Sequence, residues 1–436
     1  MMRCFIPALT WGLVLLEFPA GARAQDTLRL SQLQEFAVGS DPRAAQLDLL
    51  RSASELRRAA IGSERLPQLG INARASHQSD ITSPSDVFPG SGFPALPRDQ
   101  WQTTLDVEQL LYDGGDVSRR RELERARQAE AAAGVGVALY GLRSEVNNAF
   151  FSAFLLQQRA AELEALVSDL DARLAAVRAR VEAGTALGRD AAEIEAERVR
   201  ATLDRDEAVS ARRVSLAVLS DLANRAIDTS AVLVLPEEEP EKSQPITPAA
   251  LADLRQRPEF EQFRRTRLRL EREAAVNRSE NSPRVTAFGQ GGVGRPGLDQ
   301  FNTTSDWFWQ AGIKLQWRPW TWRSAGRKSE ALREEQQVVQ TEERSLARRL
   351  AREVVSNLED VQRLSRALVQ DQQVIALRAE IERQARAQYD EGTITTADYV
   401  ESRTNVLDAR LTLQRHRVEL AQARAAYLTT LGLAPR

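Results

Sequence analysis

Polar and apolar residues alternate with a period of two in several short segments of the chain. The clearest segment runs from Trp307 to Trp317, where one face is apolar and the other carries residues such as Gln310 and Lys314. The segment that follows Trp101 alternates in the same way. One face of such a strand suits lipid and the other suits water. We therefore predict two strand pairs, residues 67–77 with 100–110 and residues 284–292 with 305–317.

Two much longer segments show helical spacing instead. Residues 113–183 contain no proline, and apolar residues such as Leu163, Leu166 and Leu170 recur at steps of three and four. This pattern predicts a coiled-coil-like helix about 105 Å long. Residues 325–391 predict another of about 100 Å.

Four shorter helices are predicted at residues 28–65, 190–226, 249–282 and 396–432. Stacked end to end, two of them match one long helix in length. From these lengths we expect helix 190–226 to stack on helix 249–282, and helix 28–65 to stack on helix 396–432. Two long helices and two stacked pairs would make a uniform column.

The sequence carries this arrangement twice. Pro258 and Pro283 lie 216 positions after Pro42 and Pro67, and the segment GTITTAD beginning at Gly392 lies 208 positions after GTALGRD. Matches in constant order indicate a duplication. We predict a first repeat at 25–228, a Pro- and Glu-rich linker at 229–248 and a second repeat at 249–436.

Composition narrows the functional classes. Arg3, an apolar run and the segment Ala22-Arg23-Ala24 predict a signal peptide at residues 1–24. Cys4 is the only cysteine, so thiol chemistry is excluded after cleavage. The two histidines are far apart in the sequence, and the 59 basic and 61 acidic residues form no basic patch. We expect no catalytic residue, metal site, cofactor or nucleic-acid partner.

Helical periodicity alone is also compatible with a soluble coiled-coil rod, and the alternating strands are also compatible with a soluble sandwich. The aromatic residues at the strand ends favour a membrane barrel. Trp101, Trp307, Trp309 and Trp317 are predicted to lie at the membrane interface. A barrel must close because an open sheet edge cannot face lipid, and the smallest barrels have about eight strands. Four strands per chain therefore imply several copies.

The duplicated order of helix, strand pair, long helix, tip and returning helix resembles the TolC family of outer-membrane efflux and secretion channels. The sequence LYDGG at 111–115 and the two Gly-Thr tips carry the resemblance most specifically. It implies a mainly α fold with membrane β: a long coiled-coil helical barrel plus a shared transmembrane β-barrel. It also implies a homotrimer, a periplasmic adaptor protein and an inner-membrane pump that is ABC-type or proton-driven.

The resemblance also implies a periplasmic gate. The family's gate positions fall on Asp190, Tyr389, Asp398 and Glu401, and Asp190 matches an acid that accepts a hydrogen bond from the tyrosine. A family arginine is replaced here by Ile394. The alternative for Asp190 and Asp398 is that they only cap helices. The tips that would meet the adaptor are Gly184 with Thr185, and Gly392 with Thr393.

The function predicted from the sequence is a passive conduit through the outer membrane, with its helical part in the periplasm. It would form part of a tripartite efflux or type I secretion system and would not be an enzyme. The alternative is an exported periplasmic adaptor or structural coiled-coil protein. The exported substrate does not follow from the sequence.

Overall fold

The computed structural model describes residues 27–81, 90, 97–236, 254–299 and 303–433. The predicted signal peptide and most of the predicted linker lie outside these residues. Within them are seven α-helices: α1 (Leu30–Ser40), α2 (Pro42–Ser63), α3 (Asp116–Glu182), α4 (Gly188–Leu222), α5 (Pro258–Ser279), α6 (Ser324–Asp390) and α7 (Thr396–Leu431). The strands in the same residues are β1 (Thr27–Arg29), β2 (Gln68–His77), β3 (Asp99–Tyr112), β4 (Val232–Val234), β5 (Arg284–Arg295) and β6 (Asp306–Gln316).

Helices α3 and α6 set the length of the molecule. Each has 67 residues, which corresponds to about 100 Å of helix. Helix α3 turns back into α4, and α6 turns back into α7. The apolar positions of α3 at steps of three and four are buried, and Leu170 and Leu174 pack with Ile194 of α4. The apolar seam thus joins each long helix to its returning partner.

The end-to-end stacking of the short helices differs from the prediction. Helices α1 and α2 stack on α4, because Ser40 Oγ donates to Ala223 O at 3.0 Å and Leu33 shares a buried cluster with Leu219. Helix α5 stacks on α7, where Arg257 donates to Thr430 O at 3.0 Å. The predicted pairing of 190–226 with 249–282, and of 28–65 with 396–432, is therefore wrong. Helix length allowed either arrangement, and buried contacts within each repeat decide it.

The segment predicted as one helix from residue 28 to residue 65 is interrupted twice. Thr27–Arg29 pairs in parallel with Val232–Val234, so a short strand replaces the first helical residues and another lies within the predicted linker. The helix then breaks at Asp41, whose carboxylate accepts from Arg43 N at 2.8 Å and caps the next helix. Pro42 occupies the first turn of α2, where its missing N–H costs nothing.

The four longer strands form one antiparallel sheet in the order β2-β3-β5-β6. Ile71 pairs with Leu105, Leu105 with Gly291, and Gly291 with Trp309. Paired residues point to the same side of a sheet, so the apolar positions of all four strands share one face. The outer strands β2 and β6 each have one edge without a partner strand in the described residues.

Candidate functional site

The turns at the ends of the long helices have the same backbone geometry. Gly184 and Gly392 both have φ of +74°, a left-handed conformation that glycine adopts without strain. The next amide in each turn reaches back five residues: Thr185 N donates to Arg180 O and Thr393 N to Gln388 O, both at 2.9 Å. Backbone hydrogen bonds of this kind, made after a left-handed glycine, satisfy the last carbonyl groups of the helix. A Cβ added at either glycine would meet no atom within 4 Å, so the tips are open to a partner.

A cleft of about 610 Å³ lies between the two tips. Three of the four predicted gate residues line it, namely Asp190, Tyr389 and Asp398, together with both tip threonines. Glu401 is exposed and is not among the lining residues. The structure therefore brings most of the predicted site together.

Asp190 and Asp398 cap the returning helices. Asp190 accepts from Leu187 N at 3.0 Å. Asp398 accepts from Thr395 N at 3.0 Å and from Thr395 Oγ1 at 2.7 Å, and its own amide donates to that hydroxyl. Hydrogen bonds from the Thr395 side chain and backbone lower the pKa of Asp398 below its ordinary value. Both carboxylates are thus held at helix N-termini, as the capping alternative required.

The ion pairs between and beside the tips involve arginines outside the four predicted gate residues. Arg180 of the first tip lies 3.9 Å from the Asp390 carboxylate of the second. Arg189 lies 3.8 Å from Asp190. Ile394, which replaces the arginine that the resemblance would imply, lines the same cleft. Arg180 thus forms an ion pair that connects one tip to the other.

Tyr389 contacts a second tyrosine. Its ring stacks on Tyr399 with centroids 5.2 Å apart and planes 18° apart. The described residues show no hydrogen bond between Tyr389 and Asp190, so the bond implied by the resemblance is not formed here. Tyr399 is 1% exposed, and its burial raises its pKa to about 12.

Charged groups from both hairpins surround Tyr399. The Arg173 guanidinium lies over its ring at 4.7 Å, and the hydroxyl donates to Glu382 at 3.4 Å. Asp169 lies 2.8 Å from Arg173 and 2.7 Å from Arg403. We call these five residues the tyrosine cluster. It joins α3 of the first hairpin to α6 and α7 of the second.

The sheet exposes its apolar face. Trp307, Trp309 and Trp317 are 57–65% exposed, and Trp101 is 40% exposed. Apolar residues on the same face are also exposed: Leu69, Ile71, Leu105, Ile313 and Leu315. A contiguous apolar surface of this kind marks an interaction with lipid or another protein.

The opposite face of the sheet is mainly polar. Asn72 donates to Asp106, and Gln310 donates to Gln290 across neighbouring strands. The residues facing this side alternate with the exposed apolar ones, as a strand between lipid and water requires. Among the described residues, no helix is long and apolar enough to cross a membrane.

The histidines each face one carboxylate. His77 Nδ1 lies 2.7 Å from Asp99, and His416 Nδ1 lies 2.6 Å from Asp371. In the described part of the chain, no three His, Cys, Asp or Glu side chains are grouped to hold a metal ion.

No protein-family model matches the sequence, and no curated protein matches it. Solved structures do match. The chain superimposes on the crystal structure of CusC, a protein that forms a transmembrane channel, with a TM-score of 0.70 and 14% identity over 93% of this chain and 92% of that one. The CmeC outer membrane channel of Campylobacter jejuni matches with a TM-score of 0.68 and 15% identity, over 99% and 94% of the two chains. The outer membrane protein VceC of Vibrio cholerae matches with a TM-score of 0.66 and 16% identity, over 93% and 97%.

The chain has the fold of these outer-membrane channels. The fold class predicted from the duplicated helices and strands is therefore confirmed, as is the resemblance to the TolC family at the level of the fold. Because the sequence identity to these structures is low, they indicate the fold alone. The function is inferred from the residues of the tips and of the sheet.

Proposed function

We propose that this chain is one subunit of a channel in the bacterial outer membrane, which passes substrates outward from the periplasm and catalyses no reaction. The observation that carries the proposal is the four-stranded sheet, with an exposed apolar face and a mainly polar opposite face. This sheet continues into helices about 100 Å long. The sheet would meet outer-membrane lipid, and the helices would extend into the periplasm as a passive conduit.

The open edges of the chain support a ring of identical copies. Strands β2 and β6 each need a partner at their free edge, because unpaired backbone groups cannot face lipid. The helical layer also ends in exposed apolar side chains on both sides. On one edge these are Leu49 and Leu56 of α2 with Val199, Leu203, Val214 and Val218 of α4; on the other edge they are Val338, Val355, Val369, Val374, Leu377 and Ile381 of α6. Contact between unlike edges would close a ring of identical copies, and the family resemblance implies that the ring is a homotrimer.

The tips are the proposed contact for a periplasmic adaptor. Gly184, Thr185, Gly392 and Thr393 form the two exposed turns, and the space beside both glycines is open. The adaptor would connect the channel to an inner-membrane pump, ABC-type or proton-driven, in a tripartite efflux or type I secretion system. Energy would come from the pump.

The cleft between the tips is the proposed gate. Asp190 and Asp398 line it with Tyr389, and Glu401 lies one helical turn after Asp398. In a trimer these carboxylates would form a ring at the periplasmic end, and such rings favour cations. Capping and pore lining are compatible, because a carboxylate that accepts backbone hydrogen bonds keeps its negative charge.

The test is membrane fractionation followed by gel mobility with and without heating. We expect the protein in the outer membrane, migrating as a detergent-stable trimer that dissociates on boiling. A periplasmic monomer or dimer would overturn the proposal and favour an adaptor or a structural coiled coil.

A further inference from the structure

The turn between β6 and α6 exposes an unusual number of large aromatic residues. We call residues 317–323 the Trp–Arg turn. Trp317, Trp320 and Trp322 in it are 57%, 75% and 80% exposed, and the rings of Trp320 and Trp322 meet edge to face at 5.9 Å. Trp317 continues the spacing of the apolar sheet face beyond Leu315. The turn therefore extends the proposed lipid-facing surface toward the helices.

The first repeat provides an internal comparison. At the offset of 208 that relates the tips, Gly114 and Gly115 correspond to Trp322 and Arg323. Both pairs have left-handed backbones, with φ of +62° and +86° in the glycines and +51° and +58° in Trp322 and Arg323. The same turn is thus made without strain by glycine in one repeat and with strain by tryptophan and arginine in the other. Strain that glycine would remove indicates that these side chains serve a function.

Three arginines in or just after the Trp–Arg turn have no carboxylate partner among the described residues. Arg318, Arg323 and Arg327 are exposed, and none of them forms an ion pair within the described part of the chain. The neighbouring Lys328, by contrast, is paired with Glu280 at 2.9 Å. Unpaired guanidinium groups next to exposed tryptophans are suited to bind an anion at an apolar boundary.

The turn is held in a fixed position. Trp317 Nε1 donates to Asn281 O, and Thr321 Oγ1 donates to Asn281 Oδ1, both at 3.1 Å. Ser324 N donates to Thr321 O at 2.9 Å and starts α6. The side chains are therefore presented by an ordered backbone between the end of the sheet and the start of the long helix.

We propose that the Trp–Arg turn binds the headgroups of anionic phospholipids at the membrane surface on the helical side of the sheet. The indole rings would lie at the headgroup level, and the guanidinium groups would pair with phosphate oxygens. The corresponding turn of the first repeat, residues 109–115, carries Asp113 in place of Thr321 and contains no tryptophan. The described part of each chain thus offers one such site. This inference rests on the proposed membrane function.

The experiment uses the full-length protein in phosphatidylcholine vesicles that contain either brominated phosphatidylglycerol or brominated phosphatidylcholine. Bromine quenches tryptophan fluorescence on contact. We expect stronger quenching by the anionic lipid in the unchanged protein. The double variant Arg318→Gln, Arg323→Gln keeps every tryptophan and should weaken association with phosphatidylglycerol about five-fold per arginine at low salt. Arg295→Gln, at the opposite end of the sheet, is the matched control and should retain the preference.

A second variant separates lipid binding from a structural role. Trp322→Gly with Arg323→Gly restores the residues of the first repeat, so the temperature of unfolding should stay the same or rise while the lipid preference falls. Equal quenching by both lipids in the unchanged protein would overturn the inference. So would an undiminished preference in the arginine variant, or loss of the trimer in it, which would make the turn a subunit contact. A protein that does not insert into the vesicles would refute the proposed function as well.

Discussion

Tyr399 allows a quantitative test of how the two hairpins are joined. Burial raises its pKa from an ordinary value of 10 to about 12. A group whose pKa is higher in the folded protein contributes stability that is fully present below its unfolded pKa and is lost as the pH rises through the folded pKa. The free energy of unfolding should therefore fall between about pH 10 and pH 12, by about 2.7 kcal/mol in total for this side chain.

The variant Tyr399→Phe keeps the ring and removes the ionisable group. At pH 8 it loses only the 3.4 Å hydrogen bond to Glu382, which is worth about 0.5 kcal/mol because it is long. At pH 11 the unchanged protein has lost about 1.4 kcal/mol that the variant retains. The variant is therefore the less stable protein at pH 8 and the more stable one at pH 11, and the two curves cross between about pH 10 and pH 11.

The assay is guanidinium chloride unfolding of the detergent-solubilised protein, followed by helical circular dichroism at several pH values. Burial also raises the pKa of Tyr140 and Tyr427, but both tyrosines are present in both proteins and cancel in the difference. A difference in stability that stays constant from pH 8 to pH 12 would refute the assignment of Tyr399 as a buried, ionisable connection between the hairpins.

Three further perturbations test the tips, the gate and the sheet. Gly392→Ala and Gly392→Leu both introduce backbone strain of about 1–2 kcal/mol at the left-handed position. Trimers should persist in both variants, and export should fall more with the leucine variant. Normal export by the leucine variant would argue against docking at this tip. Asp398→Asn with Glu401→Gln keeps an acceptor for the helix cap and should reduce cation preference in planar-bilayer currents; unchanged selectivity would count against pore lining. Gly292→Ala would place Cβ 2.3 Å from Thr103 O and should lower the stability by about 1–3 kcal/mol. Gly289→Ala, which meets no atom within 4 Å, should leave the proposed detergent-stable trimer intact on unheated gels.

The architecture follows from the sequence because its signals repeat over long stretches. Buried positions such as Leu163, Leu166 and Leu170 recur along α3, and an error at one position does not change the period. The strands were visible because Trp307, Trp309 and their neighbours alternate over the full length of β6. Such patterns report which face is buried or apolar, and that was enough for the fold class.

The parts that the sequence did not predict depend on contacts between distant segments. The lengths of the short helices are compatible with either way of stacking them. Only contacts such as those of Arg257 with Thr430 and of Ser40 with Ala223 select one arrangement. Strands β1 and β4 have three residues each, too few to show alternation. The tyrosine cluster draws Arg173 and Tyr399 from different repeats, and neither residue lies in a motif. In the sequence, the cluster is signalled only by Tyr399, a tyrosine at an apolar helical position close to the second tip.

The equal geometry of the two tips bears on the symmetry that the channel presents to its partner. Gly184 and Gly392 share one φ value, and the same backbone hydrogen bonds follow each. The residues after them differ, with Leu187 in one turn and Thr395 in the other. In the proposed trimer, a partner that contacts only the backbone of the tips would meet a pseudo-sixfold ring of equivalent positions. A partner that contacts the side chains would meet two alternating sets of tips, each set with threefold symmetry. The chemistry of the contact therefore determines how many copies of the partner bind.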